Sequence, residues 1–153
     1  MIKIVNGNIL DSKENIICHQ VNCMGVMGSG VAKVLRDKYP IIFDEYKEFC
    51  IKNEGNLLGE VNFVKVEENK FVANIFGQYK YGADRKYTDY KALEKGIKWV
   101  HDISQLYSLS SVAIPYKIGC GLAGGDWSIV INIIREYFEY SNIECIIYRL
   151  ELI

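Results

Sequence analysis

The chain has no surplus of charge of either sign: 18 Lys and Arg stand against 19 Asp and Glu, a formal net charge of −1 over 153 residues. A general electrostatic hold on nucleic acid needs a basic excess, so none is expected, and an anionic ligand has to be held by local geometry. No apolar run reaches the roughly 18 residues of a membrane helix, and the opening MIKIVNGNIL lacks the order of a secretion signal; no membrane partner is expected. The five cysteines, Cys18, Cys23, Cys50, Cys120 and Cys145, are odd in number and contain no CxxC pair, which argues against a disulfide framework and a zinc site. Two histidines, His19 and His101, add no metal cluster, so neither a metal nor a cofactor is expected. A reducing compartment, most simply the cytoplasm, fits this cysteine usage. Linkers, repeats and low-complexity stretches are missing as well, and residues 1–153 read as a single domain.

What is present is an alternation of strand and helix signals. Met1 to Val5 and Asn15 to Val21 read as strands, the second more buried. Val31 to Tyr39, ended by Pro40, and Ile42 to Ile51 have helical spacing. Glu60 to Val66 and Lys70 to Phe76 alternate and form a hairpin around Glu67-Glu-Asn69. Tyr79 to Thr88 is an aromatic, polar loop; Thr88 or Asp89 then caps a long helix carrying Leu93, Ile97 and Val100, with His101 read as a surface residue. Ser111 to Pro115 is a short buried strand, Asp126 caps a helix with Trp127, Val130, Ile134 and Phe138, and Glu144 to Leu150 is the last strand. The pattern predicts an α/β sandwich: a mixed sheet with helices on both faces.

Two glycine-rich loops interrupt this pattern, VNCMGVMGSGVA at 21–32 and IGCGLAGG at 118–125. Gly25, Gly28 and Gly30 are spaced GxxGxG and follow a second strand, which disfavours the dinucleotide fingerprint GxGxxG and with it a nicotinamide oxidoreductase; GK[ST] is missing, so there is no P-loop. A helix starting near Ser29 still offers unpaired N–H groups and a positive dipole end to a phosphate. Ligands in open α/β sheets lie beyond the carboxyl ends of strands, so the two loops are expected to share one rim.

Taken together, VNGNIL, the first glycine loop, NIFGQ, TDYKAL and IPYKIGCGLAGGDW resemble a macrodomain, the ADP-ribose-binding α/β module, over essentially the whole chain. The first half is similar to the yeast-type ADP-ribose-1″-phosphate phosphatases, and the second loop with Trp127 to the terminal ADP-ribose–protein glycohydrolases of the same branch. The resemblance implies a three-layer α/β/α fold with a mixed, mostly parallel sheet, and ADP-ribose or a derivative, free or on protein, as ligand. It implies Asn8 and Ile9 at the adenine, and Asn22 at the distal ribose. It implies Gly28, Ser29, Gly30, Val31 and Ala32 as the first diphosphate loop and Ile118, Gly119, Cys120, Gly121 and Leu122 as the second.

Chemistry at the distal ribose is the open matter. The glycohydrolases of this branch use a lysine and an aspartate where this chain has Gln78 and Ala123. Lys80 and Asp126 lie nearby as substitutes, against the readings of a solvated charge and a helix cap. His19 matches a histidine of the phosphatases and is able to transfer a proton or act as nucleophile near neutral pH; the other reading is a hydrogen-bonded histidine inside a strand end. Cys23 and Cys120 lie in the ligand loops, where a thiol at a helix N-terminus gains reactivity. Tyr79, Tyr81 and Tyr87 either cover the distal ribose or pack between loop and helix. The expectation is a metal-independent hydrolase acting at the distal ribose, with a non-catalytic ADP-ribose reader as the alternative.

Overall fold

A computed structural model describes residues 1–150. Six strands, β1 (Ile2–Asn6), β2 (Ile16–Val21), β3 (Val61–Glu67), β4 (Lys70–Phe76), β5 (Ser111–Pro115) and β6 (Glu144–Arg149), form one sheet in the order β1-β6-β5-β2-β4-β3. Every neighbouring pair is parallel except the β3–β4 hairpin, whose antiparallel pairing puts β3 on an edge. Parallel central strands need both faces covered, and the sequence supplies the apolar residues for it: Ile16, Ile17, Cys18 and Val21 of β2 are all buried. The sheet is mixed and mostly parallel, as expected.

Helices α1 (Gly30–Lys38) and α2 (Ile41–Lys52) cover one face, and α3 (Tyr90–Leu106) and α4 (Trp127–Phe138) the other. Strand alternation divides the core accordingly. Ile17, Val21, Val72 and Phe76 pack beneath α1 and α2, with Leu35, Ile42 and Tyr46. Ile16, Cys18, Ala73 and Ile75 face Leu93, Ile97 and Ile134 of α3 and α4. Cys18 and Cys145 are buried small hydrophobes on this second side. Among the described residues no helix is long and apolar enough to cross a membrane.

Asp89 and Asp126 cap α3 and α4, accepting from Ala92 N at 3.0 Å and Ser128 N at 2.9 Å. His101 departs from its surface reading. Its ring lies edge-on to Phe138 at 5.3 Å, bonds Ser141 Oγ at 3.0 Å, and its side chain is only 13 % exposed. It follows Ile97 by one turn, so it borders the apolar stripe of α3 and is drawn under the α4 end.

Gly96 lets α3 approach the sheet. A β carbon there would lie 2.4 Å from Cγ2 of Ile75, which is fully buried and β-branched. Helix propensity favours alanine by about 1 kcal/mol, but overpacking against a stiff buried side chain costs about 1–3 kcal/mol. Gly96→Ala should therefore lower stability by up to about 2 kcal/mol, read as a lower midpoint in urea. A raised midpoint would show that Ile75 turns aside freely.

Candidate functional site

The carboxyl ends of β2, β4 and β5 open onto a cleft of about 620 Å³, within the range of small-molecule sites. Both glycine loops line it, from Asn22 to Ala32 on one side and from Lys117 to Ala123 on the other, so the expectation of a common rim holds. No carboxylate stands among the described lining residues, which removes a source of repulsion for a phosphate.

The first loop is tied down by Asn22 and Tyr46. Asn22 Oδ1 accepts from Met24 N at 2.9 Å, and its Nδ2 donates to Val26 O at 2.8 Å. Tyr46 Oη lies 2.7 Å from Asn22 O and 2.9 Å from Asn22 Oδ1, and accepts from Gly25 N at 3.1 Å. Burial pushes the Tyr46 hydroxyl up, so it remains a donor. Asn22 keeps one amide N–H beyond these bonds. Gly30 turns through φ +61 to start α1, and the Ser29 side chain makes no capping bond. The first N–H groups of α1 are thus left for a ligand, beside Gly28, Val31 and Ala32 on the cleft wall.

The second loop is closed by backbone contacts. Gly119 has φ +72, and its carbonyl accepts from Gly125 N at 2.9 Å and from Thr88 Oγ1 at 2.6 Å. Cys120 N donates to Lys117 O at 2.8 Å. Ile118, Gly119, Cys120, Gly121 and Leu122 all line the cleft.

Gln20, unnoticed in the sequence, joins the β4 end to the segment that braces the second loop. Its Nε2 donates to Thr88 Oγ1 at 2.9 Å and to Gln78 Oε1 at 2.8 Å; Gln78 Nε2 in turn donates to Lys80 O at 2.8 Å. The Gln20 carboxamide is wedged between Gly77 and Gly119, where added β carbons would lie 2.3 and 2.9 Å from its Oε1. Pro115, Tyr116 and Lys117 are further cleft residues, which lie inside the IPYKIGCGLAGGDW motif but were given no role there. Gln20 looked like one more strand residue, and its partners stand 58 and 68 positions away.

Other expected site residues are placed differently. Asn8 and Ile9 do not line this cleft. Asn8 Oδ1, assigned to the adenine by resemblance, accepts from Leu10 N at 3.0 Å and caps the 3-10 turn Ile9–Asp11, while Ile9 is buried under α1 and α2. Asp126 and Lys80 are also outside it. The Asp126 carboxylate is engaged as the α4 cap, with Ser128 Oγ at 2.7 Å, and Lys80 is exposed. Gln78 and Ala123, where the resemblance sets a lysine and an aspartate, do line the cleft. Tyr81 lines it as well; Tyr79 is 57 % exposed beside it, and Tyr87 donates to Asp84 at 2.5 Å.

His19 stands at the floor of the cleft and is 1 % exposed. Its Nε2 is 2.5 Å from Asn74 Oδ1, and Asn74 Nδ2 bonds Asn62 Oδ1 at 3.0 Å and Ile42 O at 3.3 Å. Asn74 therefore presents its amide oxygen, which assigns the proton to Nε2 and leaves Nδ1 as a buried acceptor with no protein partner. Burial pushes the imidazole down to about 4, so it is neutral at physiological pH. Burial likewise pushes the Cys23 and Cys120 thiols up to about 11, against the activation proposed for a thiol at a helix end. Among the described residues no three His, Cys, Asp or Glu side chains gather as a metal-binding group.

Comparison with known proteins agrees with this geometry. The chain is 27% identical over 158 residues to an ADP-ribose 1″-phosphate phosphatase of Candida albicans, covering 90% of this chain and 94% of that one. It is 25% identical over 164 residues to a DNA ADP-ribosyl transferase-DNA ADP-ribosyl glycohydrolase fusion protein of Thermosipho africanus, covering 96% of this chain but only 41% of that one. The chain thus spans about two fifths of the length of this relative and of the mycobacterial DNA ADP-ribosyl glycohydrolases that it also matches. A solved structure from Bacteroides thetaiotaomicron, of unknown function, superposes with a TM-score of 0.88 at 31% identity, covering 98% of each chain. The Macro domain family model matches residues 18–134, from β2 through both glycine loops into α4, and the chain belongs to that family.

Proposed function

We propose that this protein binds ADP-ribose in the cleft and hydrolyses a group attached to its distal ribose, as an ADP-ribose-1″-phosphate phosphatase or by removing ADP-ribose or an acyl group. The observation that carries the reading is the convergence of two glycine loops, each following a strand end, on one cleft without carboxylates. Backbone N–H groups from both sides suit a pyrophosphate and need no net positive charge on the protein. The names of the relatives, a phosphatase of ADP-ribose 1″-phosphate and a DNA ADP-ribosyl glycohydrolase fusion, support the same ligand and the same end of it. A cytoplasmic setting fits the five free thiols.

In this reading the grip on the diphosphate fixes the 1″ carbon relative to a water, and positioning of this kind supplies several kcal/mol of barrier lowering. His19 is the candidate base, since its Nδ1 has no protein partner and is an acceptor for a proton from that water. Its lowered basicity makes it a weak base, and its place behind the wall requires the cleft floor to open toward it. The second reading, an ADP-ribose reader, is favoured by Gln78 and Ala123 where the glycohydrolases have their catalytic pair.

The test is calorimetry with ADP-ribose, followed by product analysis on ADP-ribose 1″-phosphate, an ADP-ribosylated peptide and an ADP-ribosylated oligonucleotide. Tight binding with turnover of at least one substrate is expected. His19→Ala should then lose turnover by about 100-fold or more, the upper range for a proton-transfer group, with ADP-ribose affinity within about threefold of wild type. Tight binding without product from any of the three selects the reader.

A further inference from the structure

The turn that carries β5 into the second loop holds a lysine in a conformation that favours glycine. Lys117 has φ +60, in the left-handed region. Ile118 N donates to Pro115 O at 3.0 Å and Cys120 N to Lys117 O at 2.8 Å, so the turn is made by backbone bonds alone. The Lys117 side chain is exposed, and it fills no space in the core. Glycine would make the same turn without steric cost, so the turn does not account for the side chain.

Charge does. Among the described residues lining the cleft, Lys117 is the one that carries a formal positive charge at neutral pH. No carboxylate among the described residues lies within ion-pair distance of it; its ammonium is 5.7 Å from the centre of the Tyr116 ring. A flexible cation is therefore tethered at the mouth of a cleft whose walls offer backbone N–H groups and no negative charge.

Resting on the reading of the cleft given above, we propose that Lys117 is a ligand-binding residue whose ammonium contacts the diphosphate held between the two loops. It makes the site selective for diphosphate-bearing nucleosides over uncharged ones. The left-handed backbone holds this lysine on the cleft wall beside Tyr116 and is retained at the expense of local strain.

The experiment is binding of ADP-ribose and of adenosine by calorimetry at low and high salt, on wild type and on Lys117→Met, Lys117→Arg and Lys117→Gly. Lys117→Met keeps the stem and should bind ADP-ribose about tenfold more weakly at low salt, with adenosine unaffected and a weaker dependence on salt, since screening has one charge fewer to act on. Lys117→Arg should restore affinity. Lys117→Gly should match Lys117→Met in affinity while raising the melting temperature, because it relieves the backbone as it removes the charge. Wild-type affinity and salt dependence in Lys117→Met, or an equal loss for adenosine, overturn the role of Lys117 while the cleft reading stands. Wild-type protein that binds no ADP-ribose overturns the cleft reading, and the Lys117 role with it.

Discussion

Gly125→Ala is expected to weaken ADP-ribose binding by about 100-fold in a chain that still folds. The added β carbon would lie 2.6 Å from the carbonyl oxygen of Gly119 and 3.3 Å from its carbonyl carbon. Both are backbone atoms, so no side chain can turn away to make room. The same carbonyl is the acceptor of the Gly125 N bond and of Thr88 Oγ1, and it stands in the middle of the second loop. Displacing it by about 1 Å moves the N–H groups of Gly119 to Gly121 away from where the first loop faces them. A shift of that size costs about 100-fold when groups must converge on one ligand, or about 2.8 kcal/mol. Gly125 itself is half-buried and belongs to neither core cluster, so unfolding midpoints should change by less than about 1 kcal/mol. Calorimetry and urea denaturation on the same sample check both halves; wild-type affinity would show that the loop tolerates the shift and that its geometry does not set binding.

A second large effect concerns acid. His19 titrates at about 4 in the folded chain, against an ordinary value of 6.5, because burial disfavours its charged form. The folded value is depressed, so the unfolded chain binds the proton first. Stability is complete above about pH 6.5 and is lost as pH falls toward 4, by about 3 kcal/mol if the whole shift is realised. Denaturation midpoints measured from pH 7.5 to 4 should show this decline. In His19→Gln, which keeps a donor for Asn74 Oδ1 but does not titrate, the decline over the same window should be smaller by that amount. Parallel curves for the two proteins would mean that His19 gains a solvent path in the folded state.

These results bear on what could be read from residues alone. The elements and caps were legible because their causes are local: Asp89 and Asp126 each precede a helix and bond an N–H three or two residues on. The meeting of the two glycine loops was legible as well, since both follow buried strands whose parallel pairing puts their ends together. Side-chain partnerships were not. Gln20 carries no sign of Thr88, nor His19 of Asn74, because sheet neighbours are set by topology and lie far apart in sequence. The Asn8 bond was hidden for the opposite reason: its oxygen accepts from Leu10 N two residues away, in a turn too small to announce itself. Lys117 fell between a proline and a glycine motif, and the sign of its φ has no signature in sequence.

Gln20 is bonded to Gln78 and, through Thr88, to Gly119, while Cys23 N of the first loop donates to Tyr79 O at 2.9 Å beside Gln78; the two loops are thus parts of one braced frame, not separate flaps. The conformational entropy of bringing them together is spent when the chain folds, so a ligand meets a preorganised site, and more of its contact energy is left to appear as affinity.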